Sequence, residues 1–241
     1  MRAIVCGANG AMGQLVQARL EGEIAGLVSL DGMNGVPATF EDLGDVQADV
    51  IIDFSHHSAV AAVLDYAKEH SCAVVIGTTG HTEGEKELIY RAAQTIPVFY
   101  AGNMSLGIAV LCNLARQAAA AFPKADIEIV EIHHNRKVDA PSGTAHMIFD
   151  ALKEVRPQAT EHCGRAGEGK RTADEIGVAS LRMGGVVGVH EVHICTDSQC
   201  LTLRHEARDR GMFADGGVAA ARYVANKPAG LYNMKGMLEE K

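Results

Sequence analysis

The sequence predicts an α/β fold: an N-terminal doubly wound parallel sheet with a second α+β domain built on a mixed or antiparallel sheet. Three observations carry that expectation. Through the first hundred residues, short wholly apolar runs alternate with helix-period segments, the pattern of parallel strands covered by helices on both faces. In the second half, longer period-two segments with little helix between them point to antiparallel pairing. The 241 residues also hold 26 glycines with no Gly-X-Y repeat, so these serve tight turns or backbone brought close to a ligand.

Ala3-Ile4-Val5-Cys6 reads as a strand buried on both faces, followed by Gly7-Ala8-Asn9-Gly10-Ala11-Met12-Gly13. Met12, Leu15, Val16 and Leu20 then recur at helical spacing. Ala25 to Leu30 forms a second run that stops at Asp31-Gly32, and Val50-Ile51-Ile52 a third that stops at Asp53-Phe54-Ser55. Val60, Val63, Leu64 and Ala67 mark a helix, and Ala73 to Ile76 is a fourth strand ending at Gly77-Thr78-Thr79-Gly80. Thr82 and Glu85 have capping-box spacing ahead of Leu88, Ile89 and Ala92. Val98-Phe99-Tyr100 gives the fifth strand.

Ile108, Leu111, Cys112 and Ala115 then mark a helix, and Ile127 to His133 a strand. Extended segments follow from Ile176, through Val186 to Cys195, and from Leu201 to Glu206. Val218, Ala221 and Val224 form a last helical pattern, which we expect to return to the first domain. The expected domains are therefore residues 1–104 plus 214–241, and residues 105–213.

Composition narrows the function classes. With 22 basic and 30 acidic residues, the net charge of −8 argues against nucleic-acid or anionic-membrane binding. The six cysteines include no Cys-x-x-Cys pair, and Cys6, Cys72 and Cys112 lie in apolar runs. We expect reduced thiols, a cytoplasmic location and no disulfide framework. The longest apolar stretch, Leu106 to Leu114, is too short for a membrane span.

Gly7-x-x-Gly10-x-x-Gly13 sits directly after the first strand and opens the first helix, where a Rossmann-type fold places its phosphate loop. Glycines let the chain turn tightly and bring backbone to a pyrophosphate, and the helix N-terminus offers amides to the anion. Asp31, at the end of the second strand, can accept hydrogen bonds from the adenosine ribose hydroxyls. The same carboxylate repels the 2′-phosphate of NADP, and no Arg or Lys follows it. NADH is the expected cofactor, ahead of NADPH.

The densest chemistry runs from Glu128 to Ala145: a strand enters His133-His134-Asn135-Arg136-Lys137, turns at Asp139-Ala140-Pro141, and reaches Ser142-Gly143-Thr144 at a helix start. His delivers protons near neutral pH and Lys binds or stabilises an anion. A helix N-terminus suits a carboxylate, so a small acidic substrate is implied. Ser142 would cap that helix in any case. Two roles are expected for His133 and His134 if the strand continues through both, since adjacent strand residues face opposite sides.

This stretch resembles the signature of the 4-hydroxy-tetrahydrodipicolinate (dihydrodipicolinate) reductase family, which serves the diaminopimelate route to lysine. The resemblance spans the chain in order: the Gly7–Gly13 loop, Asp53-Phe54-Ser55, Gly77-Thr78-Thr79-Gly80, Ala101-Gly102-Asn103-Met104-Ser105, the His133 to Ala145 block, Arg182-Met183-Gly184-Gly185 with Gly188-Val189-His190, and Phe213-Ala214. It implies an NAD(P)H-dependent oxidoreductase acting on a cyclic dicarboxylate. Gly7 to Met12 would hold the pyrophosphate, Gly77, Thr78 and Thr79 the nicotinamide end, and Ala101, Gly102, Asn103 and Met104 would line the nicotinamide site. His133 would donate the proton, with Lys137 as second acid or electrostatic aid. His134, Lys137, Gly143 and Thr144 would bind substrate, joined by Ser142 at the same helix start, and the subunits would form a homotetramer. Ala11 stands where the family commonly has a basic residue, which again favours NADH.

Other signals carry less. His190-Glu191-Val192-His193 lacks the i, i+4 spacing of a zinc-protease helix, and in a strand its histidines diverge, so no metal is expected. His56-His57 reads as an exposed loop. Arg165, Lys170 and Arg171 with Glu161 and Glu168 read as a solvated loop, or as a lid over substrate. Two further readings remain open at this level: another two-domain dehydrogenase of amino-acid precursors, and a dinucleotide sensor without turnover.

Overall fold

A computed structural model describes residues 1–240. In chain order the elements are β1 (Ala3–Cys6), α1 (Ala11–Gln17), β2 (Ile24–Val28), α2 (Phe40–Leu43), β3 (Val50–Asp53), α3 (Val60–Glu69), β4 (Ala73–Ile76), α4 (Glu83–Ala92), β5 (Pro97–Tyr100), α5 (Leu106–Ala121), β6 (Asp126–His133), α6 (Gly143–Lys153), β7 (Thr160–Cys163), β8 (Glu175–Arg182), β9 (Gly188–Cys195), β10 (Cys200–Ala207), α7 (Gly211–Val224), β11 (Gly230–Tyr232) and α8 (Met234–Glu239). The chain divides into two compact units, Met1–Leu106 with Arg210–Lys241, and Gly107–Asp209. Among the described residues no helix is long and apolar enough to cross a membrane.

In the first unit the strands lie in the order β11-β5-β4-β3-β1-β2, all parallel. Every residue of β1, β3 and β4 is buried, which is why these segments, Asp53 at the end of β3 apart, are apolar without alternation. Ile4, Ile51, Val74 and Ile76 pack with Val63 and Leu64 of α3 and Ile89 of α4. The Thr82 hydroxyl and the Glu85 carboxylate form the reciprocal capping box at the start of α4. Helix α7 packs on β3, β4 and β5. Its Gly216 lets the helix come close to the segment after β5, because a Cβ there would run into the Met104 carbonyl. The sequence reading did not anticipate β11, three residues that pair parallel with β5 at the sheet edge.

The chain passes from β1 outward to β2, then returns to the other side of β1 for β3. That reversal makes a switch point between β1 and β3, and parallel pairing brings the loops after β1 to β5 to one edge of the sheet.

The second unit has the order β10-β9-β6-β8-β7. Pairing of β9 with β6 and β10 is antiparallel, whereas β8 runs parallel to β6 and β7 parallel to β8. The expectation of antiparallel pairing from Ile176 onward is therefore corrected for β8: α6 and β7 carry the chain back between β6 and β8, so both strands point the same way. On one face Ile127 and Ile129 of β6, Ile176 and Val178 of β8, and Val192 and Ile194 of β9 meet Leu111 and Ala115 of α5 and Ile148 and Leu152 of α6.

A second correction concerns the cysteines. Cys195 and Cys200 are joined by a disulfide. The β9–β10 hairpin registers them directly opposite each other with Cα atoms 4.0 Å apart, a proximity that sequence spacing alone does not reveal. The basic loop is also held down: Arg165 pairs with Glu175 and Glu128, and Arg171 with Asp126 and Glu128.

Candidate active site

In the first unit the predicted cofactor residues gather at the C-terminal edge of the sheet. Gly7 adopts φ +82°, and its amide and that of Ala8 donate to the Val28 carbonyl. A Cβ on Gly13 would run into the Gly7 carbonyl, so the loop and α1 can meet this closely only without one. Helix α1 starts with no side-chain cap and no acidic residue in its first turn, an arrangement suited to an anion.

The loop is tied to the end of β2 through one side chain. Asn9 Nδ2 donates to Asp31 Oδ1 at 2.6 Å and to the Met33 carbonyl at 3.0 Å. The Met33 amide also donates to Asp31. The Asn9 hydrogen bond, helped by the Met33 amide, holds the Asp31 carboxyl below the usual carboxylate range. Asp31 is exposed and carries its charge throughout neutral conditions.

After β3 and β4 the loops interlock. The Ser55 amide donates to Thr78 Oγ1 at 2.9 Å, and the Phe54 ring occupies the space that a Cβ on Gly77 would need. Thr79 is exposed beside them. After β5, Ala101 and Asn103 are half-buried and Gly102 exposed, whereas the Met104 side chain is in the core at 2% exposure. Of the residues expected to line the nicotinamide site, Met104 thus has only its backbone to offer. His57 is not a free loop residue: its Nδ1 lies 2.8 Å from Glu85.

In the second unit β6 delivers the other cluster. Period two places Glu131 and His133 on the same buried face as Ile127 and Ile129. The strand ends at His133, so His134 leaves in a new direction; its Nδ1 is buried with no hydrogen-bond partner. Lys137 Nζ lies 2.8 Å from Asp139 and holds that carboxyl below its ordinary value. Ser142 caps α6 by accepting the Ala145 amide at 3.2 Å, and its hydroxyl also meets His190 Nε2 at 3.2 Å. At 2% exposure, with both contacts made, Ser142 is a structural cap. Gly143 is exposed and Thr144 half-buried in the first turn beyond it.

Three residues to which sequence reasoning gave no role complete this cluster. Glu131, fully buried, receives Arg182 Nη2 at 2.8 Å and Nη1 at 3.0 Å, the amide of Ser142 at 3.3 Å, and His133 Nδ1. Burial pushes the Glu131 carboxyl up, but hydrogen bonds from Arg182, Ser180 and His133 outweigh it and keep the group ionised. His190 stands edge-on to His133 with ring centroids 5.1 Å apart, and burial lowers it to about 4. For His133 itself, burial lowers the imidazole below its ordinary value and Glu131 opposes the shift. The period-two step from Glu131 to His133 was a usable signal; the ion pair to Arg182, 51 residues away, was not. With both carboxylate oxygens engaged, Glu131 serves hydrogen bonding. His193, on the other side of β9, bonds Thr202 and Glu191 and does not join His190.

The chain is similar to known proteins along nearly its whole length. The chain matches the family description "Dihydrodipicolinate reductase, N-terminus" over residues 1–104 and "Dihydrodipicolinate reductase, C-terminus" over residues 107–238. The 4-hydroxy-tetrahydrodipicolinate reductase of Alkaliphilus metalliredigens (strain QYMF) is 42% identical over 245 residues, 99% of each chain. That of Caldanaerobacter subterraneus subsp. tengcongensis is 40% identical over 249 residues, 100% of this chain and 99% of its own. Among solved structures, a dipicolinate-bound dihydrodipicolinate reductase from Paenisporosarcina sp. TG-14 has a TM-score of 0.81 at 26% identity, covering 97% of each chain.

Proposed function

The chain belongs to the dihydrodipicolinate reductase family, and from that premise we propose how it works. It is an oxidoreductase of the diaminopimelate route to lysine that reduces 4-hydroxy-tetrahydrodipicolinate to tetrahydrodipicolinate, with NADH preferred over NADPH. The unit built on Met1–Leu106 holds the dinucleotide, and the unit Gly107–Asp209 holds the dicarboxylate. Bound nicotinamide dinucleotide supplies the hydride.

The residues present fit such a cofactor. The uncapped start of α1 and the exposed Gly10 and Ala11 suit a pyrophosphate. The ionised Asp31 suits ribose hydroxyls and disfavours a 2′-phosphate. That carboxylate, fixed by Asn9, carries the NADH assignment. Gly77, Thr78, Thr79, Ala101, Gly102 and Asn103, with the Met104 backbone, complete the site.

Loss of the 4-hydroxyl as water gives a conjugated imine, and once that ring has gained the hydride it still needs a proton on carbon. His133 donates it, and cationic Lys137 offsets the negative charge. His134 and the first turn of α6 at Gly143 and Thr144 receive the substrate carboxylates. Burial keeps the free imidazole of His133 low, and an arriving dianion raises it, so His133 gains its proton when the substrate binds. The family resemblance supports a homotetramer, and we assign the enzyme to the cytoplasm.

The deciding assay follows NADH and NADPH oxidation with substrate generated in situ by the preceding synthase. Faster oxidation of NADH supports the cofactor assignment, and a tenfold preference for NADPH would sink it.

A further inference from the structure

Glu131 bonds the ring of His133, and Gly188 lies beside that ring with room for no more than a hydrogen. Glu131 is fully buried and held from three elements: the Arg182 guanidinium at the end of β8, the Ser142 amide at the start of α6, and His133 on its own strand. A carboxylate so clamped cannot rotate away. As an ionised group it only accepts hydrogen bonds, so the His133 nitrogen facing it must carry hydrogen. The other ring nitrogen points toward Gly188, where a Cβ would come within 3.2 Å of Nε2.

We propose that Glu131 is a positioning residue for the proton donor: clamped by Arg182, its carboxylate accepts the Nδ1–H of His133, leaving Nε2 as the atom that delivers the proton, in the space that Gly188 keeps clear. This rests on His133 being the donor. In the step, the Nε2–H bond of the imidazolium breaks and a C–H bond forms on the reduced ring. The electron pair left on Nε2 yields the neutral Nδ1–H tautomer, the one Glu131 already binds. No ring flip is required between turnovers, because a proton from solvent returns to the same Nε2.

The charged and titratable groups facing His133 are Glu131 on β6, Arg182 on β8, His190 on β9 and Lys137 in the turn after β6. Glu131 alone favours the imidazolium. Arg182 and Lys137 oppose it, and His190 stays neutral near pH 7 because burial holds it at about 4. Neutralising Glu131 therefore removes the one local charge that retains the proton.

The test compares pH profiles of kcat/KM for the wild type, Glu131→Gln, Glu131→Asp and His133→Asn, alongside NADH binding by fluorescence and long-range 1H–15N spectra of the imidazoles. In Glu131→Gln the alkaline limb should move down by about one pH unit, a tenfold loss on that limb. NADH binding should be unchanged, and Glu131→Asp should recover part of the shift. A merely structural role would lower kcat at every pH without moving the limb. An unmoved limb in folded, NADH-binding Glu131→Gln overturns the proposal. Should that variant fail to fold, the wild-type spectrum decides: neutral His133 must be the Nδ1–H tautomer, and an Nε2–H tautomer overturns it. If His133→Asn keeps turnover and the limb, the donor assignment itself fails, whatever tautomer the spectrum reports.

Discussion

In the proposed mechanism His133, Lys137 and Asp31 carry most of the chemistry, and charged or hydrogen-bonding neighbours tune His133 and Asp31. For His133, replacement by Ala should lower kcat by about 10²–10⁴, the usual worth of a general acid, with NADH binding retained; steady-state rates beside fluorescence titration separate the two. Lys137→Ala should weaken both kcat and substrate binding, because the cation meets bound substrate and developing charge alike. The pH dependence has a defined sign. As the proposed donor His133 must be protonated to act, so rates should fall as pH rises through its pKa. Because burial lowers that pKa in the free enzyme, the alkaline limb of kcat/KM should lie below about 6.5. The limb of kcat, which reports the substrate complex, should lie higher. Asn9 stabilises the Asp31 charge on which the proposed NADH preference rests. Asp31→Ala should shift the NADPH-to-NADH ratio of kcat/KM toward NADPH by about tenfold, ~1.4 kcal/mol, and competition between the cofactors measures it.

At the scale of elements, strand ends and helix starts do the positioning. The period-two pattern of β6 was legible in the sequence, and with it the common face of Ile127, Ile129, Glu131 and His133. The capping box of α4 and the cap of α6 were equally legible, because each is a local hydrogen bond between residues three apart. Ser142→Ala should destabilise the second unit by about 1 kcal/mol through the lost cap, and more where the contact to His190 is also lost. Thermal melts of the two proteins give the difference. Gly13→Ala should be more damaging, since the added methyl meets backbone at Gly7 and Ala8, which cannot yield as a flexible side chain would. Loss of NADH binding in an otherwise folded protein is the expected outcome. What the elements did not announce was β11: three residues are too few for a periodic signal, and only the open edge of β5 makes them a strand.

Over the whole molecule, the second unit buries an ionisable pair of rings, His133 and His190, and stability should register it. His190 sits at about 4 when folded and near 6.5 when unfolded. Its contribution is therefore complete above about pH 6.5 and is lost as pH falls toward 4, up to roughly 3 kcal/mol. Denaturant midpoints measured between pH 7 and 4.5 should decline, and His190→Asn should flatten that decline. The sequence by itself determined the two sheets, most of their strands, the glycine loop and the His133–Thr144 block, because each depends on periodicity or on hydrogen bonds within a few residues. The tertiary structure alone decided the parallel placement of β8, the Cys195–Cys200 bond and the enclosure of Glu131 by Arg182 and Ser142. It also decided that Met104 and Ser142 are committed to the core and to a cap. Those outcomes depend on which distant segments become neighbours, and pairing across tens of residues is set by the packing of the whole unit, which no local pattern encodes.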